Sequence, residues 1–262
     1  VVITYQDAGN SNYGTAIVGT VDSSDNSISY GSPTVFNSAT TNQGKITFDS
    51  SNNKVVVAYN NGGDSGHGYA IVGTVSGTSI SFGSAAEFEN AVISDPAITF
   101  DTDTNQVIIA YRDEGNSNYG TAIVGTVSGT SISFGSPIVY HSVNASETAI
   151  AYDSNAQRII VAYTNGGDND HGYAAVGSVT TTEFNGFGTP VEFRNADEQN
   201  NAIIFDSNAN SVVVAFREDD DSNKGKFVIG TVATSGNTVT FDASTLTTFE
   251  SGSTNWNTLA FD

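Results

Sequence analysis

One short word recurs along this chain and limits what it can fold into. Val55-Val-Val-Ala-Tyr59 returns as Val1-Val-Ile-Thr-Tyr5, Val107-Ile-Ile-Ala-Tyr111, Ile159-Ile-Val-Ala-Tyr163 and Val212-Val-Val-Ala-Phe216, with aromatic ends 54, 52, 52 and 53 residues apart. A second marker, an aromatic residue followed by Asp, falls at Phe48-Asp49, Phe100-Asp101, Tyr152-Asp153, Phe205-Asp206 and Phe261-Asp262. A fixed period of this length means one supersecondary unit repeated in a stack or a ring.

Within a period the punctuation marks four strands. Between residues 94 and 141, Pro96–Phe100 is a short first strand and Val107–Tyr111 a second, almost wholly apolar one. Tyr119–Val127 is a third and Ser131–Tyr140 a fourth, reached through Ser128-Gly129-Thr130. Continuous apolar runs suit strands covered on both faces, whereas the alternation in Ser79-Ile-Ser-Phe82 suits an outer strand. No stretch has a helical period. The expected fold is all-β: a five-bladed β-propeller with four antiparallel strands per blade.

The phase of the repeat predicts closure. The chain opens on a second strand and stops on a first, so residues 258–261 are expected to pair with Val1–Tyr5 and complete the blade begun by residues 1–36. Closure would remove two exposed sheet edges. Residues 1–262 then form a single propeller domain, with repeats of about 52 residues as counted above.

Charge narrows the partners. Lys and Arg total 8 against 28 Asp and Glu, a formal charge of −20, which repels phosphate backbones and anionic headgroups. Nucleic acid and membrane insertion are therefore not expected, and no apolar run approaches the roughly 18 residues of a spanning helix. Cysteine is absent, so there is no disulfide framework, thiolate nucleophile or cysteine metal site. A start at Val1 without Met reads as a processed product or a domain of a longer chain.

The run Asn116-Ser-Asn-Tyr-Gly-Thr-Ala-Ile-Val-Gly-Thr-Val127, followed by Ser128-Gly-Thr-Ser-Ile-Ser-Phe-Gly-Ser-Pro137, resembles repetitive propeller modules of marine bacterial and phage surface or tail-fibre-like proteins. The resemblance covers the whole chain. It implies an attachment module at the extracellular or virion surface, with neighbouring domains of a larger chain as partners. In blade number alone the chain also resembles tachylectin-like lectins and five-bladed glycoside hydrolases, and no residue carries over from either.

Loops at one rim of such a scaffold are the places for chemistry. Copies one and three share Gly-Asn-Ser-Asn-Tyr-Gly-Thr-Ala, at Gly9–Ala16 and Gly115–Ala122. Copies two and four share Asn-Gly-Gly-Asp followed by His-Gly-Tyr-Ala, at Asn61–Ala70 and Asn165–Ala174. The fifth copy, Arg217–Gly225, departs from both. Aligned on the aromatic marker, Asp7, Asn61, Asp113 and Asn165 precede Tyr13, His67, Tyr119 and His171. An amide or carboxylate beside a ring is what a sugar site uses. The competing reading is turn chemistry, with Asp and Asn bonding their own loop backbone.

Other polar residues of the chain bear on further chemistries. Asp7–Asn12, Asp113–Asn118, Asp168–Asp170 and Asp219–Asp221 offer oxygen donors suited to Ca²⁺, but none completes an EF-hand spacing. His67, His141 and His171 are dispersed and there is no cysteine to join them, so zinc binding is not expected. Read six residues before each terminal Asp, the connections into the first strands give Gln43, Asp95, Glu147, Asn200 and Trp256. Asp95 and Glu147 on neighbouring blades could form a glycosidase carboxylate pair, with Trp256 stacking a sugar. The aromatic-Asp marker itself reads as structural, its carboxylate accepting turn N–H groups.

These readings lead to one principal expectation and two alternatives. The principal one is a non-enzymatic binding or display module, monomeric, carrying multivalent lectin-like loops for a glycan or surface polymer. It requires no cofactor, admits Ca²⁺, and assigns no catalytic or metal residue. Its candidate ligand residues are Asp7, Tyr13, Asn61, His67, Asp113, Tyr119, Asn165, His171 and Trp256. The alternatives are a purely structural spacer and a glycoside hydrolase using Asp95 and Glu147.

Overall fold

The computed structural model describes residues 1–260, in which nineteen strands are joined by tight turns and four three-residue 3-10 turns. Every ladder over these residues is antiparallel. β1 (Val2–Asp7), β2 (Tyr13–Asp22), β3 (Ser27–Tyr30) and the first half of β4 (Thr34–Asp49) form the first unit. The second half of β4 opens the next, continued by β5 (Lys54–Asn61), β6 (His67–Ser76), β7 (Ser79–Phe82) and the start of β8 (Ala86–Asp101).

The pattern repeats through β9 (Gln106–Asp113), β10 (Tyr119–Ser128), β11 (Ser131–Phe134) and β12 (Ile138–Asp153). A fourth unit contains β13 (Arg158–Asn165), β14 (His171–Val179), β15 (Phe184–Phe187) and the start of β16 (Val191–Asp206). The fifth contains β17 (Ser211–Glu218), β18 (Lys224–Val232) and β19 (Val239–Ser253). Because β4, β8, β12 and β16 each pair in two units, the whole is one 19-stranded sheet.

Two strand boundaries differ from the sequence reading. The first strand expected at Pro96–Phe100 is the second half of the 16-residue β8. That strand passes from β6 to β9 between Val92 and Ile93, and its ladder with β9 shifts register between Ser94 and Ala97. The fourth strand expected over Ser131–Tyr140 is broken at Gly135-Ser136-Pro137 into β11 and the start of β12. Proline cannot donate to a ladder. Gly135 also lies so close to the next unit's hairpin that a Cβ would overlap the carbonyl of Thr182. Gly31, Gly83 and Gly188 meet Thr78, Thr130 and Asn237 in the same way, so the break is a contact between units.

The core lies between units. The alternate residues Ala16, Val18 and Phe36 of the first unit pack on Val55, Val57 and Tyr59 of the second. Equivalent clusters join the second to the third, the third to the fourth and the fourth to the fifth. Val56, Val57, Ala58, Ile108, Ile109 and Ala110 have no exposed surface. At each junction an aromatic from the fourth strand meets the aromatic of the repeated word. The ring-centroid distances are 5.4 Å for Phe36–Tyr59, 5.2 Å for Phe88–Tyr111, 5.2 Å for Tyr140–Tyr163 and 5.7 Å for Phe193–Phe216. The glycine of each Tyr-Gly or His-Gly pair seats that ring. A Cβ on Gly68 or Gly172 would collide with Phe88 or Phe193. The aromatic-Asp markers cap their turns, as in Asn52 N–H to Asp49 at 2.9 Å and Ala156 N–H to Asp153 at 2.9 Å.

The ladder expected between Val1–Tyr5 and residues 258–261 is not formed: residues 257–260 carry no strand pairing, and Phe261 lies outside the described residues. Polar bonds hold this segment elsewhere. Arg217 Nη1 donates to Asn255 Oδ1 at 2.7 Å, and Asn257 Nδ2 donates to the Asn200 carbonyl at 3.3 Å. Val2, Ile3 and Thr4 nevertheless share a cavity of about 460 Å³ with Asn257, Thr258 and Leu259 and with the inner strands of the other units. Tyr5 is 37% exposed and Phe249 51%, whereas Tyr59, Tyr111 and Tyr163 are buried.

The contact of one unit's glycine with the next unit's turn gives a direct expectation. Gly83→Ala and Gly135→Ala should each lower stability by about 1–3 kcal/mol, the usual cost of overpacking. Gly44→Ala, whose Cβ would meet nothing within 4 Å, should stay within ~0.5 kcal/mol of the parent in urea unfolding.

Candidate functional site

Each inner strand carries a two-residue bulge where it enters its unit. The shifts fall between Asn42 and Lys45, Ser94 and Ala97, Ser146 and Ala149, and Gln199 and Ala202. The first bulged residue adopts left-handed backbone: φ is 53° at Gln43, 49° at Asp95, 51° at Glu147 and 56° at Asn200. Trp256 takes the same conformation, with φ 62°. Left-handed backbone costs a non-glycine residue ~1–2 kcal/mol, and bulges re-aim side chains. Here the five residues line one pocket of about 220 Å³, with Lys45, Thr148, Asn201 and Asn257.

A chain of hydrogen bonds runs from unit to unit around this pocket. Asp95 N–H donates to Gln43 Oε1 at 2.9 Å, and Gln43 Nε2 donates to Asp95 Oδ1 at 3.1 Å. Glu147 N–H donates to Asp95 Oδ2 at 3.2 Å, and Trp256 N–H to Asn200 Oδ1 at 3.1 Å. Between Glu147 and Asn200 the bond is instead from side chain to side chain, Asn200 Nδ2 to Glu147 Oε2 at 3.3 Å. Asp95 therefore accepts on both oxygens and Glu147 on one. Trp256 is 85% exposed, its indole available to a ligand. Lys45 is the one basic side chain lining the pocket.

Behind the pocket lies a carboxyl that sequence reasoning missed. Glu198 is fully buried on β16, accepting at Oε1 from Thr164 Oγ1 at 3.0 Å and from the pocket residue Asn201 Nδ2 at 3.2 Å. Its Oε2 has no partner among the described residues. Burial pushes this carboxyl up to about 8, despite the two hydrogen bonds. The equivalent positions hold Thr41, Ile93 and Ala145, so the available signal was a lone acid where the other copies are neutral.

The other sequence candidates lie at the same end of the strands and fall into two groups. Asp7, Asn61, Asp113 and Asn165 cap the 3-10 turns or their equivalent. They accept from Gly9 N–H at 3.0 Å, Gly63 at 3.1 Å, Asn116 at 3.1 Å and Gly167 at 3.0 Å. Glu218 in the fifth unit makes no such cap and binds Arg194 at 2.6 and 2.8 Å. Tyr13 and Tyr119 are half-buried where β2 and β10 begin, paired with Asp7 and Asp113. His67 and His171 do not contact each other. Each meets carboxylates of its own unit: Glu87 at 2.9 Å and Asp64 at 3.7 Å for His67, Glu192 at 2.9 Å and Asp168 at 3.7 Å for His171. Of the nine residues put forward as ligand contacts, only Trp256 lines the axial pocket.

No family model matches the chain, and no curated protein matches it. Solved structures do. An exo-β-1,3-galactanase from Phanerochaete chrysosporium, with β-1,3-galactotriose, is similar at a TM-score of 0.50 and 9% identity, over 86% of this chain and 53% of its own. A periplasmic gluconolactonase from Pseudomonas aeruginosa gives 0.49 and 13%, over 92% and 81%. An α-L-arabinofuranosidase catalytic domain from Coprinopsis cinerea gives 0.46 and 10%, over 76% and 67%. These are propeller-type folds, and the chain spans about half of the galactanase. The principal expectation of a non-enzymatic display module is corrected at this point: the structure similar at a TM-score of 0.50 is that of an enzyme, the exo-β-1,3-galactanase. Near-identity of the repeats misled that reading: it reports on packing, whereas the axial residues differ at every copy. Among the described residues no helix is long and apolar enough to cross a membrane.

Glu198 makes a pH signature. Between its ordinary value of 4.5 and about 8 the folded protein keeps a proton that the unfolded chain releases. Stability therefore falls as pH rises through that window. Glu198→Gln should flatten the decline and be more stable than the parent at pH 8, as read from urea midpoints between pH 4.5 and 8.5.

Proposed function

We propose that this chain is a glycoside-processing enzyme whose reaction takes place in the axial pocket between Asp95 and Glu147. One observation carries the reading: two acids from adjacent units open into a single pocket beside an exposed tryptophan. Glycoside hydrolysis needs an acid and a base or nucleophile on either side of the scissile bond. Asp95, accepting N–H bonds on both oxygens, is assigned as the anionic base or nucleophile. Glu147, with one oxygen clear of protein donors among the described residues, is assigned as the acid that protonates the leaving oxygen. Trp256 supplies a stacking face for the sugar. At about 220 Å³ the pocket is smaller than the roughly 300–1,000 Å³ of drug-sized sites, which favours one terminal sugar. The likeness to the galactanase makes β-1,3-linked galactosides the first substrates to test.

The scaffold in this reading is a five-bladed propeller of one domain, closed between its fifth and first units. Four junctions carry an aromatic pair, and Phe249 and Tyr5 are the two members left without one. Val1, Ile3, Val21 and Ile28 are exposed on the face that would meet the fifth unit. By the register of Lys45 with Ala58 and Ala202 with Ala215, Thr258 would oppose Thr4. The chain has no cysteine, so Thr4→Cys with Thr258→Cys tests this alone. Oxidation should give an intramolecular disulfide that raises Tm; two thiols that stay free would count against closure.

Activity is tested with aryl glycosides and β-1,3-galacto-oligosaccharides. Glu147→Gln and Asp95→Asn should each lower kcat/KM by at least about 100-fold, the scale of general acid–base catalysis, with Tm unchanged. Trp256→Ala should act mainly on KM. A parent inert towards every glycoside, or variants as active as the parent, would end this reading.

A further inference from the structure

Four positions change together between the two kinds of repeat. In the first and third units Asn10, Tyr13, Thr15 and Val35 correspond to Asn116, Tyr119, Thr121 and Val139. In the second and fourth units the same four positions are Asp64, His67, Tyr69 and Glu87, and Asp168, His171, Tyr173 and Glu192. The fold explains why they move as a set. Tyr69 lies opposite Glu87 across the β6–β8 ladder, and Tyr173 lies opposite Glu192 across β14–β16. The 3-10 turn or its equivalent brings Asp64 and Asp168 back over the same spot.

The result is the same constellation twice. His67 Nδ1 lies 2.9 Å from Glu87 Oε1 and 3.7 Å from Asp64 Oδ2. His171 Nδ1 lies 2.9 Å from Glu192 Oε1 and 3.7 Å from Asp168 Oδ2. In each set one donor atom from all three residues falls within 4.8 Å of the others. Tyr69 and Tyr173 donate their hydroxyls to Oδ2 of Asp64 and Asp168, the aspartate oxygen that faces the imidazole, both at 2.7 Å, and so hold that carboxylate in place. A tetrahedron with bonds of ~2.0 Å has edges of roughly 3.3 Å, between the two distances seen.

Charge points the same way. No Lys or Arg pairs with Asp64, Glu87, Asp168 or Glu192 among the described residues. The fifth unit has its own cation: Lys224 and Lys226 replace the histidine and tyrosine and reach Asp221 at 2.8 and 2.7 Å. There an ammonium sits where the second and fourth units present an imidazole and two carboxylates, Nδ1 hydrogen-bonded to the glutamate in a place a metal ion would take.

We propose that Asp64, His67 and Glu87, and separately Asp168, His171 and Glu192, each bind one divalent transition-metal ion of the zinc class. One imidazole with two carboxylates suits zinc or cobalt and disfavours calcium, which takes oxygen ligands only. Each ion would tie the turn after the second strand to the fourth strand of its own unit, leaving a coordination position open to solvent. The histidines expected to be too far apart to share a metal need not share one, because carboxylates supply the remaining ligands.

Titration calorimetry of the metal-stripped full chain with Zn²⁺ should give two saturable equivalents, and Ca²⁺ none. His67→Ala and His171→Ala should each leave one equivalent and the double variant none, while Tyr119→Ala should keep two. Glu87→Gln and Glu192→Gln, which disturb packing less, should weaken their own site at least tenfold and leave the other unchanged. A parent that binds any number other than two, a double histidine variant that still binds two, or equal binding of Ca²⁺ would overturn the assignment.

Discussion

The structure depends on apolar strands being covered from both sides by neighbouring units. A single four-stranded unit could not bury Val56 and Val57 together, because successive side chains on a strand point to opposite faces. Stacking one unit on each face solves this, and the aromatic pairs and the glycines beneath the rings set the spacing. Everything at the rim is therefore positioned by rigid packing rather than by the loops themselves.

From that packing follows the character of the axis. Adjacent units meet at strands that cross from one to the next, and each such strand carries a bulge two residues past the crossing. The bulge turns Gln43, Asp95, Glu147 and Asn200 inward on left-handed backbone, where side chain and neighbouring N–H satisfy one another. Repetition makes the scaffold, and this one position differs in every copy. An amide, two acids, another amide and an indole line one pocket, a variety that near-identical packing residues would not reveal.

Much of this was legible beforehand. The repeated Val-Val-Val-Ala-Tyr word located the doubly covered strands, and counting back from each aromatic-Asp marker found the five axial residues. The break at Gly135-Ser136-Pro137 was read through, because its cause is a turn 47 residues further on at Thr182. Glu198 was overlooked because an acid in an acidic chain is unremarked until burial is known. The caps at Asp7 and Asp113 drew attention as ligand groups since turn chemistry and sugar recognition select the same residue types.

The amino-acid sequence by itself determined the all-β class, the fivefold period, the two alternating loop types and the identity of the axial residues, since all of these are written as periodicity. Only the tertiary structure decided which of them meet. Carboxylates from separate units converge on one pocket, His67 meets Glu87 across a ladder, and a lone glutamate is shut away behind the axis. The reason is physical: a repeat records local strand preference and face alternation, whereas burial and distance arise from how one unit lies against the next.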